Sequence, residues 1–158
     1  MNLPIVTLSY GQERLWTLDR VDGNSAAYNL LSNIQINGCP DIPSLEKALV
    51  AIITRHESLR TVMNESVEGT AVGTLLPPPL AEHFIAVTDL SRLTLRDHTA
   101  CEIQLDQLIQ AEAAKPFNLG QDYSLRAQLI LLSQDHSVLL LTMHHQAGDG
   151  PSRNVLAQ

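Results

Sequence analysis

An α+β fold, in which helices pack on one face of a mixed sheet, is what this sequence predicts, and three observations carry that reading. Segments of helical period and segments of strand period follow one another without the steady βαβ rhythm of a doubly wound sheet. No internal repeat occurs. A short apolar run, Val138-Leu139-Leu140-Leu141-Thr142, has no helical period and consists of residues that fill a buried strand. With 158 residues the chain is one domain or a lobe of one, long enough to bury a real core.

The elements follow in order. Ser9 can cap a short helix over residues 9–18 that carries Leu15 and Trp16 inward, and Asp22-Gly23-Asn24-Ser25 breaks it into a loop. Residues 33–37 read as a half-buried strand, with Ile34 and Ile36 alternating against polar neighbours up to Gly38. Pro43 opens the clearest helix, whose stripe holds Leu45, Ala48, Leu49, Ile52, Ile53 and His56. Residues 61–66 and 70–75 suit a hairpin around Glu68-Gly69, and Pro77-Pro78-Pro79 makes a stiff surface connection. Residues 83–87 suit another strand. Thr99-Ala100-Cys101-Glu102 fits a capping box for a helix bearing Cys101, Leu105, Leu108 and Ile109, stopped near Pro116. Residues 125–132 and 137–144 then pair as a hairpin across Ser133-Gln134-Asp135-His136.

Composition narrows the function classes. A hydrophobic share of 44% with 17% charged residues is that of a soluble globular protein. The formal net charge of −7, with no basic run, gives no footing for nucleic acid or an anionic membrane. The N-terminal residues show no signal peptide and no apolar run approaches a membrane span, so a cytoplasmic location is expected. Cys39 and Cys101 lie far apart and outside any C-x-x-C spacing, as two free thiols would.

The chemistry concentrates in Met143-His144-His145-Gln146-Ala147-Gly148-Asp149-Gly150-Pro151-Ser152, directly after the buried-strand run. Adjacent strand residues point to opposite faces, so His144 and His145 cannot share one job. A strand-end histidine with an aspartate four residues on, across a glycine turn, has the make-up of an acid–base site. The same opposition argues against a metal held by His144, His145 and Asp149 together, and no cysteine joins them. No G-x-S-x-G elbow is present for a serine hydrolase. His56, on the apolar helix stripe, reads as a core histidine, and Arg14 and Trp16 are explained by packing or surface pairing.

This decapeptide resembles the active-site signature of the condensation domains of nonribosomal peptide synthetases, in the chloramphenicol acetyltransferase-like superfamily. Leu8-Ser9-Tyr10-Gly11-Gln12-Glu13-Arg14-Leu15-Trp16 resembles that family's opening motif, and Arg55-His56-Glu57-Ser58-Leu59-Arg60-Thr61-Val62-Met63 its second. Pro116-Phe117-Asn118-Leu119 followed by Leu125-Arg126-Ala127 is a weaker fourth match. The resemblance implies a chloramphenicol acetyltransferase-like N-terminal lobe over residues 1–158, with a C-terminal lobe absent and the active site between the two. It implies that His145 faces the tunnel as base or positioning group in amide formation between a donor acyl or peptidyl thioester and an aminoacyl acceptor. His144 would pack inward with its nitrogens tied to backbone. Asp149 would pair with Arg60, or alternatively with Arg126, to fix the loop, and Gly150 would permit a tight turn or a close approach to a thioester.

The expected partners are peptidyl carrier proteins, the missing lobe and neighbouring synthetase domains. No cofactor is expected on this chain, since phosphopantetheine belongs to the carriers. The runners-up are an epimerisation-domain lobe and a non-catalytic half-domain that docks a carrier or partner lobe. The aspartates that replace both histidines in heterocyclisation domains are absent. The chain also departs from the family pattern. Gln146-Ala147-Gly148 replaces the commoner apolar pair plus serine, Gly11 an alanine, Met63 a phenylalanine and Asn118 an aspartate, while Asp122-Tyr123 stands where Gly-Pro is usual.

Overall fold

The computed structural model describes residues 3–23 and 25–148. In chain order come β1 (Ile5–Val6), α1 (Tyr10–Asp22), β2 (Asn29–Asn37), α2 (Ile42–Arg55), β3 (Thr61–Glu65), β4 (Ala71–Leu75), β5 (Ile85–Asp89), α3 (Ser91–Arg96), α4 (His98–Ala114), β6 (Leu125–Leu131) and β7 (His136–His144). Short 3-10 turns lie at Ala26–Tyr28 and Glu57–Arg60. The strands form a three-stranded sheet of order β1-β4-β3 and a four-stranded sheet of order β2-β7-β6-β5. The larger sheet is mixed, because β5 runs parallel to β6 while its other pairs are antiparallel. The α+β expectation therefore holds.

Helices cover both faces of the larger sheet, where one face was expected. Side-chain alternation sets up two apolar layers. On one face Leu129 lies opposite Leu139, and with Leu125 and Met143 these residues pack among Leu45, Leu49, Ile52 and Ile53 of α2. On the other, Ile130 lies opposite Val138, and with Leu140 they meet Leu105, Leu108 and Ile109 of α4. A parallel pair needs a crossover, and α3 and α4 supply it between β5 and β6. Strands buried on both faces lose polar alternation, which is why 138–142 reads as a continuous apolar run. Ile53, Leu129, Ile130 and Leu140 are wholly buried, each contributing about 1.5–3 kcal/mol by transfer from water.

Helix ends carry further differences. Ser9 caps α1 as expected, completing a capping box with Gln12, but the helix runs on to Asp22 and stops at Gly23, which takes the left-handed conformation at φ 71°. Asp41 caps α2, in which Leu49 and Ile53 are buried while Ala48 is exposed at the stripe's margin. Asp97, not Thr99, caps α4 by accepting from the Ala100 N–H at 3.0 Å. Strand β2 begins four residues earlier than expected, because its whole length pairs with β7 from Asn29 opposite His144 to Asn37 opposite His136. Cys39 is exposed, Cys101 buried, and both are free. Among the described residues no helix is long and apolar enough to cross a membrane.

Candidate functional site

The two histidines end β7 and part company there. His144 is 1% exposed, held edge-on between the rings of Phe117 and Tyr28 at 5.7 Å and 6.2 Å between centroids. Its Nδ1 accepts the backbone N–H of Gln146 at 3.2 Å, so the neutral ring carries its proton on Nε2. Nε2 is buried and has no partner among the described residues, so only one of the two expected ties to backbone is present. Burial, then the nearby charges of His145 and Arg126, pushes the His144 pKa down to about 4, and the ring is neutral at pH 7. It is a core residue.

His145 is exposed. It stands one residue beyond the strand, where its backbone N–H donates to the Tyr28 carbonyl at 2.9 Å. Its side chain lines a groove of about 720 Å³ between the turn at 145–148 and α1, which contributes Gln12, Arg14, Leu15 and Leu18. Residues of the opening motif and of the histidine motif thus line one open groove. Arg14, expected only to pack or pair, lines it directly, as does Gln12.

Arg60 closes the turn at Glu57–Arg60, with Nη1 donating to the Leu76 carbonyl at 2.8 Å and Nη2 lying 3.4 Å from Glu57 Oε1. Its Nε is buried without a partner among the described residues. Asp149 and Gly150 lie outside the described residues. Arg126, the alternative partner for Asp149, already uses its guanidinium fork: Nε meets Glu112 at 2.9 Å, while Nη1 and Nη2 donate to the carbonyls of Pro116 and Lys115. The same group sits 3.8 Å above the Phe117 ring. Arg126 therefore pins the end of α4 and the segment that walls in His144.

Tyr28 and Ser124, to which the sequence assigns no role, and Gln146, noted there only as a departure from the family pattern, carry the local architecture. Tyr28 anchors the His145 backbone. Ser124, 1% exposed, donates its N–H to the Leu59 carbonyl and accepts the His144 N–H on its own carbonyl. Gln146, 6% exposed, donates from Nε2 to Ser124 Oγ at 2.6 Å and lies 3.4 Å from the Thr61 carbonyl. These contacts join the second motif to the histidine motif through buried polar atoms.

The departures from the family pattern also find local accounts. A Cβ at Gly11 would meet only Ser9 Oγ, at an ordinary 3.8 Å. Met63 packs with Phe117 and Leu119 in a buried cluster beside Leu8 and Trp16. Asn118 Oδ1 accepts the Gly120 N–H at 3.0 Å, and Asp122 supplies the carboxylate that accepts the Asn118 N–H at 2.9 Å. No group of histidine, cysteine and carboxylate side chains suited to a metal occurs among the described residues.

Comparison with known proteins follows the same lines. The Condensation domain family model matches residues 3–158. The chain is 41% identical over 151 residues to a linear gramicidin synthase protein of Brevibacillus parabrevis, covering 94% of this chain and 3% of that protein. It is 36% identical over 153 residues to a probable non-canonical nonribosomal peptide synthetase, CymA, of Salinispora arenicola, covering 97% of this chain and 2% of the relative. In fold it is similar to the first condensation domain of the calcium-dependent antibiotic synthetase, with a TM-score of 0.80 at 23% identity, over 97% of this chain and 35% of that structure.

Proposed function

Because the chain belongs to the condensation-domain family of nonribosomal peptide synthetases, we propose that it is the N-terminal lobe of a domain joining a carrier-bound donor acyl or peptidyl thioester to a carrier-bound aminoacyl acceptor. The observation that carries this reading is the exposed imidazole of His145, set one residue beyond β7 on the wall of an open groove.

The reaction needs little covalent help. The acceptor amine attacks the donor thioester carbonyl, a tetrahedral oxyanion forms, and the thiolate leaves as the amide closes. Holding the two thioesters in register lowers the barrier, an effect that reaches about 7–11 kcal/mol in well-oriented reactions. A neutral imidazole beside the attacking nitrogen accepts its proton, or holds the amine in line by a hydrogen bond. His145 has the exposure for that task. His144, buried and neutral, is assigned to packing. Asp149 and Arg60 are assigned to fixing the loop that carries His145: the buried Arg60 Nε supports this, as does the commitment of Arg126 to Glu112. Gly150 is assigned to the turn.

Phosphopantetheine is proposed to enter on the carriers rather than reside on this chain, and the partners are proposed to be carrier proteins, the second lobe and adjoining synthetase domains. The test is to supply the complete domain with donor-loaded and acceptor-loaded carriers and analyse the thioesters by mass spectrometry. An amide product on the acceptor carrier is expected. An acceptor that changes only the configuration of its α-carbon would make the domain an epimerase, and no change at all would make the lobe a docking module.

A further inference from the structure

His145 lies outside the strand ladder, so its aim depends on what holds the turn that follows. The backbone of that turn is tied at His144, whose carbonyl accepts the Ala147 N–H at 3.0 Å, and at His145, whose N–H meets Tyr28. The first side chain past His145 is Gln146, and it points the other way, into the protein. Glutamine is seldom buried to 6% exposure without a reason, because each amide atom taken from water needs a partner. Here the amide nitrogen finds Ser124 Oγ at 2.6 Å, with the Thr61 carbonyl more distant at 3.4 Å, while the buried Oε1 has no partner among the described residues, so the nitrogen alone sets the direction of the side chain. Ser124 is itself immobilised, since its N–H is bound to Leu59 and its carbonyl to the His144 N–H.

We propose that Gln146 is a positioning residue: its bond to Ser124 pins the turn inward at 146 and thereby holds the neighbouring His145 outward in the groove. The proposal rests on the reading of His145 as the functional imidazole. Neighbouring side chains in extended or tightly turned backbone diverge, so a rotation that freed residue 146 would swing 145 away from its wall. An apolar residue at 146 would fill the same space but set no direction. A displacement of about 1 Å at a reacting group is enough to cost up to about a hundredfold in rate.

The experiment uses the complete domain in multiple-turnover condensation, with preloaded donor and acceptor carriers supplied in excess so that kcat and KM are both read. Three variants are compared: Gln146→Met, which keeps length and removes the donors; Ser124→Ala, which removes the acceptor; and the two combined. Each single change is expected to lower kcat about tenfold with the acceptor KM within about twofold, and the double variant is expected to be no slower than either single. A structural role would lower the unfolding temperature without that split between kcat and KM. Parental kcat in both single variants, effects that multiply in the double, or loss of the folded state in both singles would overturn the proposal. His145→Ala in the same assay separates the two claims. If that variant is inactive while Gln146→Met runs at full speed, the latch alone fails, whereas an active His145→Ala removes the reading beneath it.

Discussion

Acidification should destabilise this protein through His144. The ring is 1% exposed, and burial together with the charges of His145 and Arg126 lowers its pKa from 6.5 to about 4. Between those values the unfolded chain binds a proton that the folded chain refuses. The contribution is therefore fully present above pH 6.5 and is lost as pH falls toward 4. At about 1.4 kcal/mol per pH unit, the loss amounts to about 3 kcal/mol, a large share of a typical domain's stability. Asp19 works in the opposite sense, because burial raises its carboxyl pKa and acid relieves that penalty. A raw pH–stability curve mixes these two groups with Asp41 and Asp89, whose carboxyls are held below the usual range by hydrogen bonds from Ser44 and Ser91. Comparison with His144→Phe separates them, since that variant keeps an aromatic ring between Phe117 and Tyr28 and cannot titrate. Urea unfolding at about pH 7 and about pH 4 should find the stability difference between parent and variant shifting by about 3 kcal/mol in favour of the variant on acidification. A difference that stays constant over that range refutes the buried neutral imidazole.

Two further outcomes are expected. Asp149→Ala and Arg60→Ala should each cost about 3–5 kcal/mol if they form a buried pair, and the double variant should cost less than the sum. Strict additivity in thermal unfolding would dissolve the pair. Gly73→Ala should cost about 1–3 kcal/mol, because the added Cβ would lie 2.7 Å from Leu8 Cδ2 and 2.8 Å from the Val6 carbonyl oxygen, where β1 pairs beside β4. An unchanged melting temperature would mean that β1 is not held there.

What was legible in the chain, and what was not, divides by the range of the interactions. Local chemistry was readable: the Ser9 cap, the apolar stripe of α2, and the hairpins around Gly69 and residues 133–136 all rest on neighbours in sequence. Covering of both sheet faces was not foreseen, although the unbroken run at 138–142 carried the signal. The six-residue α3 is too short to display a period, and Asp97 was passed over as a cap because Thr99 with Glu102 matched a commoner pattern. The opposed fates of His144 and His145 followed from strand geometry alone. Their surroundings did not, because Gln146 reaches partners 22 and 85 residues away and Tyr28 meets His145 only through sheet pairing. No local pattern encodes such contacts.

The most direct test of the central claim is the rate of a single round of condensation by the complete domain carrying His145→Ala, with both carriers loaded beforehand. General-base or positioning effects of this kind are worth roughly 10²–10⁴-fold. Peptide-bond formation is predicted to fall by at least about tenfold, with carrier loading unchanged. Formation of the amide at the parental rate would contradict the account.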